Sequence, residues 1–141
     1  MAFLEDGYRT LVTFELEPTI RLLEVSVTPF GLEGGDQIEQ TTMRNNLWRT
    51  FAPQFLITAT EMSGVFAYDP VILADLLGML NVNQIIACTH SDGSAWTFWG
   101  YLRNFILNEN SIGSRPTGNA IIVPTNRDAS GVENTPTYTA P

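Results

Sequence analysis

Apolar and polar positions alternate with a period of two over several short stretches, and each predicts a strand. Tyr8 to Glu15 (YRTLVTFE) follows a Glu5-Asp6-Gly7 turn signal and is rich in β-branched and aromatic residues. Pro18 interrupts, and Ile20 to Val27 (IRLLEVSV) is a second strand. Leu23, Val25 and Val27 share one face of it with Arg21, while Ile20, Leu22, Glu24 and Ser26 take the other. The short Leu16–Thr19 link predicts that these two strands pair antiparallel. Phe55 to Thr60 (FLITAT) sets Phe55, Ile57 and Ala59 against Leu56, Thr58 and Thr60, a sheet with one apolar and one mixed face. Gln84 to Thr89 and Ala95 to Phe105 flank Ser91-Asp92-Gly93-Ser94, a hairpin signal because Asp-Gly readily supplies positive φ. Trp96, Phe98 and Leu102 fall on one face of the second strand and Trp99, Tyr101 and Phe105 on the other. Gly100 between them marks a bulge or bend, and large residues on both faces predict a ribbon covered on both sides. After a loop from Asn108 to Gly118, Asn119 to Pro124 (NAIIVP) is the last strand.

The period changes once. Asp69 is a favoured N-cap, and Pro70 at the first helical position gives up only an N–H that would be unpaired anyway. The helix predicted from Val71 to about Leu80 is apolar at Val71, Ile72, Leu73, Leu76, Leu77, Met79 and Leu80, with Asp75 its one charge; Asn81 and Asn83 end it. So little polar face predicts cover on more than one side, the sheet on one and a neighbour on the other.

Between strands, Thr28 to Pro53 fits neither period. It turns through Gly31, Gly34 and Gly35 and stays polar to Asn46, yet spaces Phe30, Leu32, Ile38, Met43, Leu47 and Trp48 along its length. Structureless connections beyond about 12–15 residues are uncommon in compact domains, and those that occur are disordered or carry function. Apolar anchors at intervals argue against disorder, so residues 28–53 are expected to be an arm laid on a neighbouring subunit. Residues 125–141 are poor in large apolar groups. Their composition predicts a flexible tail, and an ordered one would need a surface to lie on.

Size and composition fit one domain over residues 1–141, with 44% hydrophobic residues for its core and no need of a metal or disulfide. The single cysteine, Cys88, sits in QIIACT and reads as a buried structural thiol. The first residues are acidic and lack the apolar core of a secretion signal, and no apolar run approaches the roughly 18 residues of a membrane span. A soluble protein made in the cytosol, with no membrane partner, is expected. Charge excludes more. Seven scattered arginines, no lysine and fifteen acids give a net −8, which leaves no basic stripe for nucleic acid. Arginine suits packed interfaces better than lysine does.

Chemistry is sparse. His90, Ser91 and Asp92 are consecutive in one turn, whereas triad members converge from separate elements. The glycines match no phosphate-binding pattern, and a lone His90 with Cys88 makes no metal shell. No enzyme activity and no cofactor are expected. Trp48, Trp96 and Trp99 leave open a carbohydrate-binding β-sandwich.

In order, the chain presents an N-terminal Asp-Gly turn, VTPFGLEGG, TTMRN and a WRT…P segment. Tyr68-Asp69-Pro70 before a helix, a DG hairpin closing in FWGYL, and Pro124-Thr125-Asn126 follow. This ordered set, from about Asp6 to Tyr138, resembles the tail tube (major tail) proteins of long-tailed bacteriophages; Phe30 stands where a second proline is expected. The resemblance implies a mainly β fold with one α-helix, a β-sandwich or partly rolled barrel that contributes strands to an oligomeric inner barrel. It implies hexameric rings stacked into a hollow tube in the virion, contacting other tail proteins at its ends, through which DNA passes without specific binding. The arm residues Phe30, Leu32, Ile38, Thr42, Met43, Arg44, Leu47 and Trp48 would then contact another subunit or ring. Glu15, Glu24, Glu61 and Asp92 would be the acids lining the lumen. A tail terminator or neck protein is the alternative within the same architecture.

Overall fold

The computed structural model describes residues 10–18 and 22–141. The expected Glu5-Asp6-Gly7 turn, Tyr8, Arg9, Thr19, Ile20 and Arg21 lie outside them. The elements are β1 (Leu11–Phe14), β2 (Glu24–Thr28), β3 (Leu32–Glu33), β4 (Ile38–Glu39), β5 (Phe51–Ala52), β6 (Thr58–Ala59) and β7 (Met62–Ala67). After these come α1 (Pro70–Gly78), β8 (Gln84–Thr89), β9 (Ala95–Leu107), β10 (Thr117–Pro124) and β11 (Thr137–Thr139). The protein is mainly β with a single helix. A seven-stranded antiparallel sheet runs in the order β1-β8-β9-β10-β7-β2, with β11 also pairing β9.

This order overturns the expected pairing of the first two strands. β1 pairs β8 and β2 pairs β7, so they end at opposite edges of the sheet. Register explains β1: Val12 lies opposite Cys88 and Phe14 opposite Ile86, and all four are buried. Cross-strand apolar fit outweighs the closeness in sequence that a short link provides. The stretch Phe55–Thr60 is also not a strand of the main sheet. Only Thr58–Ala59 is extended in a ladder, pairing Leu32–Glu33, while Phe55, Leu56 and Ile57 are exposed. The strand that fills this place is β7, whose Gly64 hides its β character in the sequence. A Cβ at Gly64 would lie 2.9 Å from the Phe66 ring and 3.0 Å from the Ser26 carbonyl oxygen, so close backbone approach requires glycine there.

The inner face of the sheet holds the core. Val12, Phe14, Ile86, Cys88, Phe98, Leu102, Ala120, Ile122, Met62 and Phe66 meet there, joined by Leu76 from α1 and Met79 at its C-cap. Two irregularities bend the sheet around this cluster. On β9 the register against β10 slips between Asn104 and Leu102, leaving Arg103 as the extra residue. A bulge of this kind kinks the strand and increases its twist. It also shifts the side-chain parity, so Phe105 packs on the same core as Phe98 and Leu102, its ring 6.3 Å from that of Phe66. The expectation that Phe105 lies on the opposite face fails for this reason. Gly100 has a different part: a Cβ there would meet the Val123 carbonyl oxygen at 2.7 Å. The second slip leaves Val25 extra on β2.

Although β1 and β2 are the two edges of the ladder, the roll brings them together. The Val12 N–H donates to Glu24 Oε1 across that gap at 3.1 Å. The sheet is thus partly rolled: one side-chain hydrogen bond spans a seam that backbone pairing leaves open among the described residues.

The helix begins as the sequence dictates, with Asp69 Oδ1 accepting the Val71 N–H at 2.9 Å and Pro70 in the first turn. Leu76 and Met79 are buried with Ile72 and Leu80 packed beside them, whereas Val71 and Leu77 face outward. Within one chain, cover is complete on one side only. The two neighbouring leucines are therefore expected to separate sharply. Leu76→Ala should lower unfolding free energy by about 2–5 kcal/mol, and Leu77→Ala by no more than about 0.5 kcal/mol, measured by urea denaturation of dilute protein.

Candidate assembly surface

The stretch from Gly31 to Thr60 forms a hairpin that leaves the main sheet and returns to it. Thr60 clasps its root: the Thr60 N–H donates to the Gly31 carbonyl at 2.8 Å, and the Gly31 N–H to Thr60 Oγ1 at 2.7 Å. Beyond the root, β3 pairs β6, and farther out β4 pairs β5 with Ile38 opposite Ala52 and Glu39 opposite Phe51. At the tip, Thr42 and Asn45 close a turn. The Asn45 N–H donates to the Thr42 carbonyl, the Thr42 N–H to Asn45 Oδ1, and Asn45 Nδ2 to the Trp48 carbonyl at 2.7 Å. Residues 28–53 are therefore not one extended arm. Thr28 belongs to β2, and the remainder is the outgoing leg, the tip and the start of a return leg that ends at Thr60.

The hairpin satisfies its backbone but not its apolar side chains. Met43 and Phe55 are fully exposed, Leu56, Leu47 and Trp48 nearly so, and Leu32, Ile38 and Phe51 about half. An isolated two-stranded ribbon is at best marginally stable in water, and a contiguous apolar surface beyond a few hundred Å² marks an interaction site. Thr42 and Arg44 are exposed at the tip, Thr42 in the turn described and Arg44 with its N–H on Thr42 Oγ1. Phe30 does not belong with these residues. It is buried at 5%, with its ring centroid 5.0 Å from Trp96 and 4.6 Å from Phe98, and anchors the root of the hairpin to its own core.

The four acids expected to line a lumen stand at separate places in the fold. Glu15 is exposed just past β1. Glu24 is half-buried on the Val12 N–H, and burial raises its carboxyl above the ordinary range while that hydrogen bond pulls the other way. Glu61 is exposed and pairs with Arg103 at 3.0 Å. Asp92 stands in the β8–β9 turn, accepting from Ser94 Oγ at 2.6 Å and the Ser94 N–H at 2.9 Å, which holds its carboxyl below the ordinary range. Gly93 in that turn has φ +94°, as the Asp-Gly signal requires. The three tryptophans also stand apart. Trp48 is on the hairpin tip, while Trp96, against Phe30 and Tyr138, and Trp99 project from opposite faces of β9.

The C-terminal tail lies on its own chain. β11 pairs the first residues of β9, taking the side that β10 occupies farther along, and Tyr138 stacks toward Trp96 at 5.2 Å. Before it, the Thr125 N–H donates to the Trp99 carbonyl, and Asn83 Nδ2 to the Arg127 carbonyl. Asp128 Oδ1 accepts from the Ser130 and Val132 N–H groups. The surface that an ordered tail was expected to need is supplied by its own chain. Between tail and hairpin root runs a groove of about 210 Å³, walled by Leu32, Phe55, Leu56 and Ile57 on one side and by Glu133 and Pro136 on the other. Asn126 lines it with φ +54° and a shielded Oδ1 that has no hydrogen-bond partner. Among the described residues no group of three His, Cys, Asp or Glu could hold a metal, and no helix is long and apolar enough to cross a membrane.

No protein-family model and no curated protein sequence matches the chain. Solved structures do. A chain of the virion of a native gene transfer agent particle superposes with a TM-score of 0.63 at 11% identity, covering 96% of this chain and 99% of that one. A chain of the six-fold symmetrised baseplate of the anti-feeding prophage gives 0.63 at 10% identity, covering 99% and 97%. One from the tail of an empty gene transfer agent particle, refined with helical and C6 symmetry, gives 0.57 at 10% identity, covering 96% and 99%. The likeness runs the full length of both partners and is one of fold.

The seam between β1 and β2 has a pH signature. Burial, and secondarily the nearby Glu24 carboxylate, push the Cys88 thiol from 9.0 to about 11. A raised thiol favours the folded state below pH 9 and withdraws that support as pH climbs toward 11. Melting temperature should fall over that window, and Cys88→Ala should flatten the fall. Glu24 is likewise raised, so its charging costs stability as pH rises above 4.5. Glu24→Gln keeps an acceptor for Val12 and should be at least as stable as the parent at pH 7. Glu24→Ala orphans that N–H and should cost about 1–3 kcal/mol.

Proposed function

We propose that this chain is a structural subunit of the tail tube of a long-tailed phage or phage-derived particle. In this reading it assembles into rings, hexameric by analogy with the symmetric particles whose chains share its fold, and the rings stack into a hollow tube. The observation that carries the reading is the hairpin from Gly31 to Thr60, which leaves Leu47, Trp48, Phe55 and Leu56 without cover in one copy. Such a surface gains stability only against another molecule, since each large side chain taken out of water contributes about 1.5–3 kcal/mol. The full-length fold likeness supports the same conclusion. Among the described residues no ladder joins β1 to β2, and pairing between copies is a general remedy for open sheet edges.

The protein's part is mechanical and electrostatic, with no catalysis. A net charge of −8 without a single lysine repels phosphates, so DNA moves along the bore because nothing holds it. Because Glu24 is half-buried and Glu61 is paired, the repulsion belongs to the summed charge of the subunit, not to a ring of four acids. The chain works in the virion, with other tail proteins at the tube ends. The baseplate likeness favours a second reading, a ring component at one end of the tube that caps without polymerising.

Negative-stain microscopy of the purified protein separates these readings: long tubes are expected, single rings favour the capping component, and persistent monomers refute both. Shortening the hairpin by deleting residues 40–50 should leave a cooperatively melting subunit that no longer elongates; an unfolded product would show that the hairpin belongs to the fold instead. Assembled protein should show no duplex-DNA affinity tighter than about 10⁻⁶ M near physiological salt.

A further inference from the structure

We infer that the hairpin tip docks into the groove between hairpin root and C-terminal tail of a second copy of this chain, with Trp48 as the inserted side chain. This rests on the assembly reading above and adds the site that receives the hairpin.

Charge singles out the tip. From Gln40 to Thr50 the chain carries Arg44 and Arg49 and no acid, within a protein that has fifteen acids and seven arginines. It is a cationic, apolar element on an anionic molecule, and its complement is an acidic, apolar surface. The groove is apolar and carries one acid, Glu133, which lies opposite Arg127 in an antiparallel bridge. Leu32, Phe55, Leu56, Ile57 and Pro136 give apolar walls, and Glu133 stands on the rim. Arg49 is held only loosely, 3.8 Å from an exposed Glu39, and is free to exchange that partner for Glu133 at little cost.

Size and chemistry favour the indole. Trp48 is 77% exposed, and an aromatic side chain of its class buries about 150–250 Å² when seated. The groove's volume of about 210 Å³ accommodates one such ring system. Its wall also contains Asn126, whose Oδ1 lacks a donor.

Geometry excludes the same copy as the host. The Trp48 carbonyl is tied to Asn45 at the tip, and the β4–β5 pairing stands between the tip and the β3–β6 root that walls the groove. While those pairs hold, the tip cannot fold back onto its own root. A second copy presents the groove without breaking them.

The test mixes two variants that each add one surface cysteine, W48C and T135C, under assembly conditions with a bis-maleimide reagent of about 10 Å reach; the buried Cys88 stays unreactive in the folded chain. W48C with T135C is expected to give a covalent dimer, and W48C with the outer-face control S63C none. W48A should raise the critical concentration for assembly at least tenfold without changing the melting temperature of the dilute subunit. E133R should do the same, with partial recovery in R49E/E133R. If the parent protein assembles while W48A and E133R assemble equally well, or if W48C crosslinks to S63C and not to T135C, the docking site is wrong and the assembly reading stands. If the parent stays monomeric at every concentration, both fall.

Discussion

A sheet of seven strands buries an apolar face only by curling over it, and the curl in this protein depends on β9. That strand runs from Ala95 to Leu107 and pairs β8, β10 and β11 along its two edges. Its first part carries Phe98 and Leu102 inward. At Arg103 the bulge adds one residue, and Phe105 then returns to the core where strict alternation would have turned it out. Gly100 lets the backbone of β10 approach within a distance no Cβ allows. Together they let β1 and β2, the outer strands of the ladder, come close enough for Glu24 to receive the Val12 N–H. Among the described residues the seam is fastened by one side chain and not zipped by a ladder.

The remaining apolar surface is distributed unequally, and this gives the molecule its direction. The rolled sheet and the inner side of α1 are saturated, with Phe14, Ile86, Phe98, Leu102 and Leu76 all nearly inaccessible. The hairpin is the reverse case, because its hydrogen bonds are made locally and its apolar side chains are left in water. Thr60 and Phe30 fix its root, so it projects as a formed element and not as a loose tether. A preformed element loses less conformational entropy on docking than a disordered one.

Electrostatics follow the same division. Two acids are engaged with the backbone: Glu24 on the seam and Asp92 in its turn. The net negative charge comes from the scattered exposed groups, whereas the hairpin tip holds two arginines without an acid. An anionic body with a cationic apolar projection carries its own complement.

Local signals in the sequence determined those features whose physics is local. Asp69-Pro70 opens the helix because capping needs only the next two residues. Asp92-Gly93 makes the turn because positive φ is a property of one glycine. Cys88 is buried because every second residue of its strand faces inward. The mainly β class with one helix follows from the two periods in the chain. Tertiary structure alone decided which strands are neighbours, since the alternation of Val12 and Phe14 suits any apolar strand and only the fit against Cys88 and Ile86 selects β8. It alone moved Phe105 inward, because a bulge changes parity without any mark that Arg103 could carry in sequence. It also placed Phe30 in the core and laid the tail on β9. Each of these is a long-range contact, and periodicity, which registers only the face a residue prefers, contains no information about what that face will meet.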